Sequence, residues 1–306
     1  MSPQLSNGFF DAIYHPGYRI RPVHIRTEPV QDTLLRSADS EAFMDGKWQA
    51  HLATGAKPWP NDLKPGRFRF AGFEERGADV VFRLDPCVAY RDHVGARDPE
   101  FRHRFGDTFL PNALAVTTFI TARDKGGLEY FLATRRNKTH DYKPNGLHLS
   151  TGGFMEIKKS PEGDIVKEGM REATEESGVT PEDLDLWFLG IAFDPWQNKP
   201  DAIFHASVNT PLEEIRRRKH DAENVNLWIP AAKMLPWLLD PAEVTVPMGL
   251  AALLWYGRIM FGQAWFIHVH TQLAKAGERY AAASDRSELE VMAMRNLDHL
   301  VGTLER

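Results

Sequence analysis

The chain has 306 residues, of which 42% are hydrophobic and 26% are charged, so it has the composition of an ordinary folded protein with room for about two domains. A net charge of −5 provides no general attraction for nucleic-acid phosphates, and no nucleic-acid partner is expected. The single cysteine, Cys87, excludes an intramolecular disulfide, and the N-terminus lacks a signal pattern, which together predict a cytoplasmic protein.

The first hundred residues predict a small α+β unit. Alternating apolar residues at 18–27, 68–73 and 78–84 indicate strands, and residues 41–52 have the spacing of a helix. Residues 94–108 show no clear period and are predicted to be irregular. The division that follows is an N-terminal extension at 1–107, a central domain at 108–240 and C-terminal helices at 241–306.

Short apolar runs separated by turn signals fill the central part. The runs 113–121 and 128–134 flank Asp124-Lys125-Gly126-Gly127, which predicts a hairpin. Further strands are predicted at 184–193, 202–208 and 227–230.

The C-terminal part is predicted to be helical. Residues 247–265 are strongly apolar, but Arg258 and Gln263 interrupt them, so that no uncharged run of about 18 residues remains to span a membrane. A buried helix or a homodimer interface fits this segment better. Residues 284–306 are predicted to form an amphipathic closing helix.

The most informative segment is an acidic helix. Asp164 can cap its start, and Gly178 can end it in the left-handed conformation. Residues three and four apart share a helix face, so that the glutamates of this segment crowd together. The crowded residues are Glu168, Glu172, Glu175 and Glu176.

Carboxylates this close repel each other, and the repulsion is relieved when a divalent cation lies between their oxygens. The pattern is therefore that of a solvated acidic face or of a metal site. The glycine pair Gly152-Gly153 ahead of the helix favours the metal site, because a backbone carbonyl there can complete the oxygen ligands that Mg²⁺ prefers.

Together these segments resemble the signature of the Nudix hydrolases, G-x5-E-x7-R-E-U-x-E-E-x-G-U, where U is a bulky aliphatic residue. Residues 171–179 match its second half. The first half departs from it, because the step from Gly153 to Arg171 is four residues longer and Gly163 replaces the usual glutamate. Asp164 and Glu162 are candidate replacements. The resemblance implies an α+β fold, an α/β/α sandwich around a mixed sheet.

The resemblance also implies a site for Mg²⁺ or Mn²⁺. Glu172 and Glu176 correspond to the principal ligands, and Glu175 to a third ligand or a base acting through water. The remaining implied site residues are Gly152, through its carbonyl, Glu168 on the acidic face, Arg171, which orients the glutamates, and Glu223, an extra acid ahead of the last strand.

The order of the parts is similar to that of the UDP-sugar diphosphatases of this superfamily, which also have an N-terminal extension and an elongated box. This similarity implies hydrolysis of a UDP-sugar such as UDP-glucose to UMP and a sugar 1-phosphate. Arg135 and Arg136 end a strand where a guanidinium can hold the diphosphate. Base recognition is expected from Tyr90, Trp59, Arg91 and Asp92.

Two alternatives remain open. One is a Nudix hydrolase of another diphosphate, such as ADP-ribose, a dinucleotide or capped RNA, although the acidic net charge argues against RNA. The other is a nucleotide-sensing module that kept the helix and lost turnover. Metal-dependent turnover distinguishes them.

Overall fold

The computed structural model describes residues 10–55, 62–136, 146–218, 224–233 and 246–282. Its larger sheet has eight strands, of which six follow the order β1-β9-β10-β5-β6-β11, with β7 paired to β6 and β8 paired to β5. Strands β5 and β10 are parallel, and the other pairs are antiparallel. These strands are β1 (Asp11–Tyr14), β5 (Ala115–Arg123), β6 (Glu129–Arg136), β7 (Leu147–His148), β8 (Thr151–Phe154), β9 (Leu184–Asp194), β10 (Lys199–Val208) and β11 (Asn224–Pro230).

A smaller sheet is built from the N-terminal part, in the order β2-β4-β3. Three isolated bridges, Ile20 with Phe188, Arg67 with Glu156 and Arg69 with Ala113, join this part to the strands of the larger sheet or to residues next to them. Strand β1 lies in the larger sheet itself, paired with β9. The three strands are β2 (Ile25–Pro29), β3 (Arg67–Arg76) and β4 (Asp79–Val88).

Helices cover both faces of the larger sheet. Alternate residues of β5 point to opposite faces. Val116 and Ile120 therefore join a core that includes Ile165 and Ala173 of the helix Ile165–Ser177, whereas Phe119 joins a core with Leu254 of the helix Pro247–Phe261. The α+β class and the mixed sheet between helical layers are confirmed. The helices are α1 (Ala38–Ala53), α2 (Tyr90–Ala96), α3 (Pro99–Phe105), α4 (Ile165–Ser177), α5 (Leu212–Ile215), α6 (Pro247–Phe261) and α7 (Gln263–Ala282).

The prediction of an irregular segment at 94–108 is wrong, because α2 ends and α3 lies within it. The side chain of Asp98 accepts a hydrogen bond from the backbone N–H of Glu100 (2.9 Å), and Pro99 occupies the first helical position. Both are strong helix-start signals. They set α3 even though the helix is too short to show an apolar period.

The predicted helix at 247–265 is two helices. Gly262 adopts a φ of +88° and separates α6 from α7. Residues 247–257 of α6 are all buried, as the apolar composition predicts. Among the described residues, no helix is both long and apolar enough to cross a membrane. The helix predicted at 284–306 lies outside the described residues.

The packing of α1 on α2 gives a testable prediction. A Cβ at Gly95 of α2 would lie 2.6 Å from the backbone Cα of Met44, which cannot retreat easily. We expect Gly95→Ala to lower the free energy of unfolding by about 1–3 kcal/mol. The matched control is Gly46→Ala in α1, where nothing lies within 4 Å and where we expect a gain of about 0.5–1 kcal/mol. Urea denaturation measures both, and equal stabilities would contradict the close packing.

Candidate functional site

The acidic helix α4 has both predicted ends. The carboxylate of Asp164 accepts hydrogen bonds from the backbone N–H groups of Val166 (3.1 Å) and Lys167 (3.0 Å), and Gly178 ends the helix with a φ of +77°. Val166 and Met170 pack against the core below. This orientation directs Glu172 towards Gly153 of β8.

Arg171 lies among three of the glutamates. Its Nε and Nη2 donate to the carboxylate of Glu168 at 3.1 and 2.5 Å, Nη2 also contacts Glu172, and Nη1 contacts Glu175. The side chain of Glu168 is 1% exposed, whereas that of Glu175 is 51% exposed. Arg171 therefore balances the repulsion between the carboxylates along the helix.

Glu172 is the carboxylate with the most perturbed environment. Burial raises its pKa to about 7, and the neighbouring charge of Glu168 adds to this, while Arg171 acts in the opposite direction. A buried carboxylate next to like charges is stabilised as an anion by a nearby cation. This is the electrostatic condition that a divalent metal site requires.

The glycine pair of β8 makes room for this carboxylate. A Cβ at Gly153 would lie 2.4 Å from Oε1 of Glu172, and a Cβ at Gly152 would lie 2.4 Å from the carbonyl oxygen of Val116. Side chains at these two positions would displace the carboxylate and the neighbouring strand. Gly152 is therefore required by the close approach of the backbone, and Gly153 leaves room for the carboxylate of Glu172.

The glutamates of α4 form one wall of a cleft, and their oxygen atoms suit a hard cation. Glu172, Glu175 and Glu176 face one cleft together with Gly152, and oxygen donors of this kind are what Mg²⁺ and Mn²⁺ prefer. Among the described residues, no group of three or more His, Cys, Asp or Glu side chains is arranged to hold a metal ion. Arg171 engages two of these carboxylates instead.

The cleft has a volume of about 480 Å³ and brings together many of the residues singled out from the sequence. Arg136 lines it and Arg135 does not, because successive residues of β6 point to opposite faces. Tyr90 lines it from α2. Glu168 and Arg171 lie behind its acidic wall. Trp59 and Glu223 fall outside the described residues.

The structure places Arg91 and Asp92 in a charge network behind the cleft. Asp92 is fully buried and receives hydrogen bonds from Nη2 of Arg36 (2.7 Å), Nη2 of Arg91 (2.6 Å) and the backbone N–H of Ala89 (3.1 Å). Arg91 also pairs with Glu41 of α1 at 2.6 Å. The network joins α1 to the start of α2.

Neither candidate replacement for the glutamate of the signature contacts Arg171 in the structure. Asp164 caps α4, and Glu162 pairs with Lys167 on the surface at 2.9 Å. Gly163 has a φ of +69° and packs against Phe68 and Leu84, where a side chain would be strained. The longer loop therefore leaves Glu168 as the buried partner of Arg171.

The wall opposite α4 was missed by sequence reasoning. It consists of residues from α2 and from the β9–β10 hairpin, and its members are His93, Arg97, Asp194, Gln197, Lys199 and Asp201. One signal in the sequence could have indicated this wall. Charged residues stand at 199 and 201, on one face at the start of a strand whose other residues are mostly apolar. His148, Glu156 and Lys159 also line the cleft.

The charge network gives a second prediction. Asp92→Asn removes the negative charge that two arginines share, and we expect it to lower the free energy of unfolding by about 2 kcal/mol. The control is Asp45→Asn, which affects an exposed partner of the same Arg91 and should cost about 0–1 kcal/mol. Thermal and urea unfolding of both variants check this, and similar losses would contradict a buried anchor at Asp92.

No family model matches the chain, and no curated protein matches it. Solved structures with partial similarity include a mutT/nudix family protein from Listeria innocua, 21% identical over 41% of this chain and 82% of the other, with a TM-score of 0.31. The NUDIX domain of Shewanella oneidensis NrtR, complexed with ADP ribose, is 15% identical over 45% and 86%, with a TM-score of 0.34. The Ap4A hydrolase of C. elegans is 17% identical over 48% and 98%, with a TM-score of 0.30. At these scores such likenesses assign no activity to this chain.

Proposed function

We propose that this protein is a metal-dependent Nudix hydrolase of a nucleoside diphosphate derivative. The observation that carries the proposal is the convergence of Glu172, Glu175 and Glu176 on a cleft that Arg136 and Tyr90 also line. Carboxylates suited to a divalent cation thus share one space with a guanidinium suited to phosphate and a ring suited to a base.

Glu172 and Glu176, with the carbonyl of Gly152, hold the Mg²⁺ or Mn²⁺ in this proposal. The bound metal supplies charge neutralisation of the diphosphate and lowers the pKa of a water molecule. Glu175, the exposed member of the acidic wall, accepts the proton of the attacking water. Arg171 keeps the glutamates in place through its contacts with Glu168 and Glu172.

Of the other predicted residues, some contact the substrate in this proposal and others hold α2 in place. Arg136 binds a phosphate oxygen, and Tyr90 contacts the base. Arg91 and Asp92 hold α2 in position from behind. Within the diphosphate class, we propose a UDP-sugar, cleaved to UMP and a sugar 1-phosphate, because the arrangement of the chain resembles the diphosphatases of that group. Arg135, Trp59 and Glu223 remain predictions from the sequence.

The first test is product release from nucleoside diphosphates with Mg²⁺ or Mn²⁺. The panel contains UDP-glucose, ADP-ribose and a dinucleoside polyphosphate, assayed with the native chain and with Glu176→Gln. We expect cleavage of UDP-glucose and a loss of about 10²-fold or more in the variant, because a metal ligand becomes neutral. Glu182→Gln, a change at an exposed glutamate outside the cleft, is the control and should retain activity.

Preference for another diphosphate would contradict the UDP-sugar proposal and leave the hydrolase proposal standing. Absence of turnover on every compound, with binding intact, would favour the nucleotide-sensing alternative.

A second test concerns the room beside Glu172. In Gly153→Ala, the new Cβ would displace the carboxylate end of Glu172, so we expect Mn²⁺ affinity to fall about 10–100-fold with little loss of stability. In Gly152→Ala, the Cβ would meet the backbone of Val116, so stability should fall as well. Calorimetric titration of Mn²⁺ and thermal unfolding measure the two effects. Unchanged Mn²⁺ affinity in Gly153→Ala would contradict the role of Glu172 as a ligand.

A further inference from the structure

The wall opposite α4 contains a buried lysine at the start of β10. The side chain of Lys199 is 9% exposed, and its Nζ contacts the carboxylate of Asp201, whose side chain is 3% exposed. The second oxygen of Asp201 accepts a hydrogen bond from Oγ1 of Thr117 at 2.8 Å. Lys199, Asp201 and Thr117 all line the cleft. The ammonium group is thus held in one place at the base of this wall.

A buried ion pair contributes little to stability by itself. Removing two charges from water costs several kcal/mol, and apolar side chains of similar volume often serve folding as well or better. An ammonium group has three N–H donors, and the contacts of Lys199 with the described residues include one hydrogen bond, to Asp201. Its position in a cleft therefore suits a ligand that accepts hydrogen bonds.

A second cation lies close to the same part of the wall. The guanidinium of Arg67 lies 4.4 Å from the ring centroid of Tyr90 and 5.2 Å from that of Phe154, and both rings line the cleft. Nζ of Lys199 lies 5.5 Å from the Phe154 centroid. Within the described chain, the buried Nε of Arg67 has no hydrogen-bond partner. Two cations therefore flank one ring at the cleft.

The environment of His93 is consistent with a positive potential here. Burial moves the pKa of His93 well below its usual range, and the charges of Arg97, Lys199 and Arg67 lower it further. His93 is therefore neutral and packs edge-on against Phe154 at 4.6 Å. The carboxylates of this wall are engaged within it, since Asp201 holds Lys199 and Asp194 accepts from the backbone N–H groups of Trp196 and Gln197.

We propose that Lys199 forms a metal-independent subsite for a phosphate group, with Asp201 positioning it and Arg67 adding positive charge. This inference deepens the proposed function and rests on it for the identity of the substrate. The glutamates of α4 would hold the metal beside one phosphate of the diphosphate, and Lys199 binds the other phosphate. The substrate thus lies across the cleft between the glutamates of α4 and the ammonium group of Lys199.

The test is the binding of inorganic diphosphate in the presence of EDTA, measured by calorimetry. We expect the native protein to bind and Lys199→Met to weaken binding about tenfold or more, because a charge-assisted hydrogen bond is lost. Lys199→Arg should retain most of the affinity, since it keeps the charge. Lys158→Met is the matched control, because that side chain is 80% exposed and lies outside the cleft lining.

The single variant leaves Asp201 buried without its cation, which threatens folding. The double variant Lys199→Met with Asp201→Asn leaves no uncompensated charge, and thermal unfolding confirms that it is folded. If this folded double variant binds diphosphate like the native protein, or if the native protein does not bind diphosphate without metal, the subsite is wrong.

Measurements of nucleotide hydrolysis distinguish failure of the phosphate subsite from failure of the proposed function. Loss of diphosphate binding in Lys199→Met, without hydrolysis of any nucleotide by the native protein, would support the subsite and contradict the hydrolase. Hydrolysis that depends on Glu176 with an unchanged KM in Lys199→Met would contradict the subsite alone. If both proposals hold, Lys199→Met should raise KM more than it lowers kcat.

Discussion

The site depends on the close approach of α4 to strand β8, which is itself paired with β5. Two glycines make this approach feasible, because a Cβ at either one would meet the carboxylate of Glu172 or the backbone of Val116 at 2.4 Å. Because the two glycines have no side chain, α4 can approach the sheet closely. Glu172 then lies in the interior, against the sheet, and the neighbouring glutamates point to the cleft.

Ion pairs with Arg171 offset the repulsion between the glutamates of the acidic helix. Glu168 is almost fully buried and Glu172 is mostly buried, so both would be unfavourable as isolated anions. Arg171 contacts both and also the more exposed Glu175. The arginine performs in the structure the balancing that we assign to a divalent cation during binding. Binding of a metal ion by these carboxylates therefore has to compete with their ion pairs to Arg171.

The N-terminal part of the chain contributes directly to the cleft. Strand β1 extends the larger sheet, and α2 provides Tyr90 and His93 to the lining of the cleft. The buried Asp92, held by Arg36 and Arg91, connects α2 to the preceding helix. Arg91 and Asp92, which the sequence suggested for base recognition, are thus located where they can position the residues of α2 that line the cleft.

The sequence by itself determined the features whose signals lie within a few residues of each other: the acidic helix with its cap at Asp164 and its end at Gly178, the hairpin of β5 and β6, and the apolar helix α6. Tertiary structure alone decided which residues share the cleft. Asp92 meets Arg36 across 56 positions, and Thr117 meets Asp201 across 84. Contacts over such separations depend on how strands and helices pack, and no local period or cap encodes them. For that reason Arg136 could be proposed from its place at a strand end, whereas the charged residues at 199 and 201 could be assigned to the cleft only after β10 had been placed beside β5.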